Sequence, residues 1–366
     1  MPAVAGASGS AAATDLPLPA AIETPVESWT VLPMGQIGSL TNTFWQVLRA
    51  TPGSSHWSVV TPEGVADNGG LVAAANVTTA SITVGFLPSQ LLRYSPLSVT
   101  TDAGRTWSPA FLPGALAARP DALASGPNGT LAIVGSAVLH QAPNSATWSR
   151  LVTLAALKGL APQCAASTLD AVSVTSTGAP LVAAACHGHL GLFAASTGKW
   201  RFEGVILPDD WRDASTTILR LQSGTSQTTA LATATQGQHQ ALFALSQTGS
   251  GGWHASAPLP LGAQSTVRAT AVDFGGALSV LVGSRKSESV YEITPGGSWV
   301  TLPTPPRRAV GLAWVTPGAT SFGATTLDVF TVVGGTDLHV FALTPAGGNW
   351  SSAQTLEVAL PYGSSS

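Results

Sequence analysis

Charge is the scarcest commodity in this sequence. Only 9% of its 366 residues are Asp, Glu, Lys or Arg, and just three are lysines. With a net charge of −3 and no basic stripe, a nucleic-acid partner is excluded as an expectation. Long apolar runs are missing too. Although 45% of the residues are hydrophobic, no run of 18 or more encodes a membrane-spanning helix. The start, MPAVAGASGSAAATDLPLPAAIETP, lacks a basic n-region and a proper apolar segment, so it is not an intact signal peptide. Cysteine is nearly absent. Cys164 and Cys186 stand near the ends of one expected hairpin, either as a disulfide or as two buried thiols.

What is present is Ala, Val, Ser and Thr in short alternating runs, broken by 39 Gly and 26 Pro. That composition predicts many short strands joined by many turns. Residues 1–26 read as a flexible Ala/Ser/Pro-rich linker, 27–362 as one domain, and 363–366 as a tail. A surface kept soluble by Ser, Thr and Gln points to a secreted or cell-surface protein whose signal or anchor is not in this sequence.

Tryptophan reveals a repeat. Trp57, Trp107, Trp148, Trp200, Trp253, Trp299 and Trp350 are spaced 41–53 residues apart, each after a small polar turn such as DAGRTW, STGKW or TPGGSW. Three further strand-like runs separate successive tryptophans, as in RAVGLAWV, TLDVFTVVGG and DLHVFALTP. Four strands per repeat predict an all-β fold, a β-propeller of seven four-stranded antiparallel blades, with six as the alternative count. The closing blade is expected to mix N-terminal strands (SWTVLP, FWQVLRAT, HWSVVTP) with the C-terminal TLEVALP.

One turn is better preserved than the rest. Thr100, Asp102, Gly104, Thr106 and Trp107 fit S/T-x-D-x-G-x-T-W, which resembles the Asp box, or bacterial neuraminidase repeat, of sialidase-like propellers. The resemblance implies a structural turn between the third and fourth strands of a blade, on the face opposite the ligand site. The Asp102 carboxylate accepts backbone N–H groups, Gly104 takes a positive φ, and Trp107 anchors the turn between sheets.

If that turn marks the bottom, the loops after fourth strands and between second and third strands form the top. These carry Glu63, Asp67 and Asn68; Arg93 and Tyr94; Arg119; Asp209, Asp210, Trp211, Arg212 and Asp213; Arg285, Lys286 and Glu288; and Arg307 and Arg308. They are the candidate binding residues, set against the ordinary tendency of charges to collect in loops. LPDDWRD could take a sugar, or Ca²⁺ through oxygens, but matches no calcium loop. His187 and His189 in ACHGHLG share a strand face that suits Zn²⁺, yet no third ligand stands nearby. The sequons at Asn76, Asn128 and Asn349 carry no weight. No metal and no cofactor is implied.

A sialidase would need an arginine cluster, an acid/base carboxylate and a Tyr–Glu pair. The tyrosines are Tyr94, Tyr291 and Tyr362, and Tyr291 neighbours Glu292 on opposite strand faces. No catalytic residues are carried over. The expectation is a binding or scaffolding module for a glycan, envelope component or protein. A sialidase-like glycoside hydrolase is the alternative, and rim-to-rim assembly a third reading.

Overall fold

The computed structural model describes residues 18–37, 43–63, 70–76, 79–86, 95–112, 119–224, 226–249, 251–285, 287–316, 325–343 and 348–360. Alternating or fully apolar runs become strands, and the Gly- and Pro-rich breaks between them become turns. Strands buried on both faces, such as Leu278–Gly283, are those sandwiched between neighbouring sheets.

Five sheets stand separately, each with at least four strands, and are numbered here as blades I (71–112), II (122–153), III (169–206), IV (215–261) and V (309–357). The remaining sheet is different. It has eight strands, running through β1 (Ala20–Glu23), β2 (Ser28–Gly35), β3 (Thr43–Ala50) and β4 (Trp57–Val59) on one side and 266–301 on the other. The two halves are fused where β1 pairs in parallel with Thr266–Val272, placing Ala20 beside Thr270, Ala21 beside Ala271 and Ile22 beside Val272. The fold is an all-β propeller, but the count of seven separate blades is corrected to five and one fused sheet.

The reason lies in the innermost strands. In a ring of sheets each inner strand shows an unpaired edge to the central channel. β1 joins two such edges, with small buried side chains at Ala21 and Ala271. Residues 20–23 are thus a strand and not part of the linker expected over 1–26, since AAIE is too short to show a period.

Closure also departs from expectation. No described blade mixes strands from the two ends: β1–β4 pair with one another, and Ser351–Glu357 completes blade V. Hydrogen bonds of side chains and loops join the ends instead. The Gln354 amide accepts from Trp57 N at 2.7 Å and donates to Trp57 O at 3.1 Å. Ser28 and Thr316 hydroxyls meet at 2.8 Å, and Gly53 N donates to Thr316 O at 2.6 Å.

The core lies between blades. Trp107 packs among Trp29, Trp45, Leu71 and Val84, where β1–β4 meet blade I. Trp148 fills the I–II junction, Trp200 the II–III, Trp253 the III–IV, and Trp299 the junction of IV with 266–301. Two of these tryptophans hold the preceding sheet by hydrogen bond, Trp253 Nε1 donating to Glu203 and Trp299 Nε1 to Ala257 O; Trp57 Nε1 likewise donates to Asp328 and Trp350 Nε1 to Pro303 O.

Helix α1 (Leu154–Leu160), capped by Thr153, is an insertion between blades II and III that the all-β reading did not foresee. It leads into Cys164, which is bonded to Cys186 with Cα atoms 4.9 Å apart. Gly191 is required beside this bond, since a Cβ there would meet Cys186 Sγ at 2.3 Å.

Candidate functional site at the channel mouth

Antiparallel pairing within each blade puts the turns between third and fourth strands at one end of the ring. The segments leading into the inner strands lie at the other end. Leu18, Asp121 and Arg308 all precede inner strands, and all line cavities there. That end is the channel mouth.

Leu18 divides it. On one side is a compartment of about 430 Å³, lined by Arg119 and Asp121 before blade II, Asp170 on the inner strand of blade III, and Thr217 and Arg220 on that of blade IV. On the other is a compartment of about 490 Å³, lined by Ile37, Trp45, Arg268, Arg308 and Val310. Leu18 borders both. Deeper in, a pocket of about 70 Å³ holds Glu23, Arg220, Gln222, Ser173 and Ser223.

The inner strands position these groups through hydrogen bonds. Asp170 Oδ2 accepts from Ile218 N at 2.9 Å, and its Oδ1 from Thr168 Oγ1 at 2.9 Å. Burial pushes its carboxyl up to about 6 despite these bonds. Asp121 Oδ2 accepts from Gly135 N at 2.9 Å. Arg220 faces the lumen deep in the protein body. Its Nη2 donates to Ala21 O and Gln222 Oε1, both at 2.6 Å, so it pins β1 in the channel. Burial draws Arg220 down to about 10. Glu23, 2% exposed, accepts from Phe274 N at 2.8 Å through Oε2, and its Oε1 has no partner among the described residues. Burial is the main cause that raises it to about 7, with the nearby Asp273 adding to the rise.

Of the residues singled out from sequence, Arg119 lines the first compartment and Arg308 the second. Arg285 and Arg307 are exposed and line neither compartment. Glu288 binds Arg268 Nη1 at 2.8 Å and lies 3.7 Å from Arg308 Nε. The LPDDWRD cluster lines neither compartment. Its Asp209–Trp211 turn pairs Arg212 with Asp209 at 2.6 Å, and Trp211 packs edge-on to Phe243 with centroids 6.0 Å apart. Asp213 and Glu63 are exposed. His187 meets Ser215 and His189 leans on Phe202. Asp67, Asn68, Arg93, Tyr94, Lys286 and Tyr362 lie outside the described residues.

The Asp102 turn is self-contained. Asp102 accepts from Thr106 N at 2.9 Å, Thr106 Oγ1 at 2.7 Å and Thr100 Oγ1 at 2.7 Å. These bonds hold its carboxyl down to about 2. Gly104 has φ +82°, and a Cβ there would lie 2.7 Å from Val60 Cβ.

Sequence reasoning missed Glu23, Asp121, Asp170, Arg220 and Arg268. A signal existed: in so uncharged a chain, a charge inside a short apolar run, as in LDAVSV, STTILRLQS or TVRATAV, marks a strand lining a wet channel.

No family model and no curated protein matches the chain. Solved structures do. A Lactobacillus plantarum protein is similar with TM-score 0.54 and 10% identity over 92% of this chain and 97% of that one. A candidate 6-phosphogluconolactonase from Bacteroides fragilis follows at TM-score 0.53, 11% identity, 92% and 97%. The β-propeller domain of the Trilobed protease from Pyrococcus furiosus, which has an open velcro topology, is similar at TM-score 0.50, 8% identity, 93% and 97%. The fold is that of a β-propeller. Identities this low carry the fold and no activity.

Proposed function

We propose that this chain is a binding module acting outside the cytoplasm, and that it takes a glycan, envelope component or protein segment at the channel mouth. The observation that carries this reading is the 430 Å³ compartment, where Arg119, Asp121, Asp170 and Thr217 converge from three blades. Carboxylates accept hydroxyl hydrogens, while Arg and Thr donate, so the set suits a polyol better than an apolar ligand. The Cys164–Cys186 bond supports an oxidising compartment. The ring is then read as seven four-stranded units, counting each half of the fused sheet, with the Asp102 turn as its best-kept Asp box.

Calorimetric titration with a panel of neutral and acidic oligosaccharides tests the reading. Saturable binding weakened about tenfold or more by Arg119→Gln or Asp121→Asn is expected. Sugars that fail to bind, or that bind these variants as well as the native chain, would defeat it.

A glycoside hydrolase is the second reading, favoured by two carboxyls in one compartment, one of them raised to about 6 as a general acid requires. Asp170, however, already has a structural task in holding Ile218 N and Thr168. Fluorogenic glycosides decide between them: turnover lost in Asp170→Asn, with the fold intact by circular dichroism, would replace binding with catalysis.

A further inference from the structure

The larger compartment has a different chemistry. Arg268 and Arg308 both line it and share one carboxylate, Glu288. Glu288 is already engaged, since its Oε1 accepts from Arg268 and its Oε2 from Ala309 N at 2.8 Å. The Arg308 guanidinium is 74% exposed and its only ion-pair contact among the described residues is that 3.7 Å approach through Nε. One positive charge is therefore left over at the wall. In a chain with 15 basic residues, such a gathering around one acid stands out from the background.

The compartment also has an apolar part. Ile37, 46% exposed, and Val310 line this space too.

We propose that this compartment is a site for a small organic anion. A carboxylate, sulfate or phosphate group sits on Arg268 and Arg308, and an apolar or aromatic body lies against Ile37 and Val310. Arg308 is the forked donor that captures the anion, and Arg268, fixed by Glu288 and by Ser284 O at 2.8 Å, is the rigid one. The volume of about 490 Å³ lies within the usual range for such ligands. A neutral polyol has no partner on the apolar part, so this site and the sugar-type compartment select different molecules, with Leu18 between them.

The test uses the whole chain and three probes sharing one body: 2-naphthoate, 2-naphthyl sulfate and 2-naphthyl phosphate, with neutral 2-naphthalenemethanol as comparator. Binding is read by calorimetry at low and high salt. At least one anion is expected to bind saturably, more tightly than the alcohol and more weakly as salt rises. Which of the three binds best names the anion. Arg308→Gln should weaken it about tenfold. Ile37→Asp, an exposed position that leaves the core untouched, should weaken it as much by repulsion. Arg150→Gln, on the outer strand of blade II, should change nothing, and neither should Asp121→Asn, which separates this site from the sugar reading. Equal binding of the neutral alcohol, unchanged affinity in both Arg308→Gln and Ile37→Asp, or no saturable binding of any anion overturns the proposal.

Discussion

Two turns at the bottom of the ring occupy equivalent places and are built on opposite principles. Both join a third strand to a fourth and both end in tryptophan. The turn at 100–107 contains its own carboxylate, which lies at the surface and closes on Thr100 and Thr106. The turn at 51–57 has none. Its Trp57 donates to Asp328 of blade V at 2.7 Å, 271 residues away, and Ser55 Oγ reaches the same carboxylate at 2.9 Å. Trp57 also meets Phe330 edge-on, with centroids 5.1 Å apart. The first turn is stabilised locally and the second by the closure of the ring. Local stabilisation leaves a motif; distant stabilisation leaves only an unexplained Asp inside an apolar strand.

The difference can be broken or sharpened by substitution. Trp57→Ala should have the largest effect, about 4 kcal/mol in urea unfolding, because a 1% exposed ring leaves a cavity and a buried carboxylate loses its donor. Trp107→Ala, half-buried, should cost about half as much. Equal losses would erase the distinction. Gly104→Ala should come next, at about 2 kcal/mol, since φ +82° and Val60 both oppose a side chain. Removing the clasp with Gln354→Ala should cost about 1 kcal/mol.

The subtlest contrast is in pH. Burial holds Asp328 up at about 7 against an ordinary 3.8, so the native state favours its protonated form. The stability it lends is whole below about pH 4 and is lost as pH rises through about 7. Asp102 has the opposite sign: held down to about 2, it lends stability above about pH 4 that is lost as pH falls through 2. Urea midpoints measured from pH 2 to 8 should therefore lose part of their decline between 4 and 7 in Asp328→Asn. Glu23, raised to about 7, and Asp170, raised to about 6, maintain the remainder. In Asp102→Asn the acid limb below 4 should flatten instead. Asp102→Ala at pH 7 should be the smallest effect of the set, a shift in midpoint below that of Gln354→Ala.

The same contrast explains what could be read before the structure. The tryptophan period and the Asp102 turn are local signals, and both led to a propeller. The fusion of the two halves was hidden because AAIE has no period, and its partner Thr266–Val272 lies some 250 residues away. The closing hydrogen bonds of Gln354 and Thr316 carry no residue pattern. At the site, Arg119 and Arg308 were found because loops are where charges are ordinarily sought. Asp170, Arg220 and Arg268 are hidden because each lies inside an apolar strand run, while Asp121 shares the loop of Arg119 without forming a dense cluster. The LPDDWRD cluster drew attention by density alone, yet Trp211 there serves the packing of blades III and IV.

The seam between β1 and Thr266–Val272 also has a mechanical consequence. Tension applied to the chain ahead of Leu18 would load β1 first, and with it the parallel seam, the antiparallel pairing to β2 and the Arg220 grip on Ala21 O. Because Leu18 walls both compartments, the strand that bears the load is the same one that shapes them. A ligand in either space and a pull on that end would thus act on one spring.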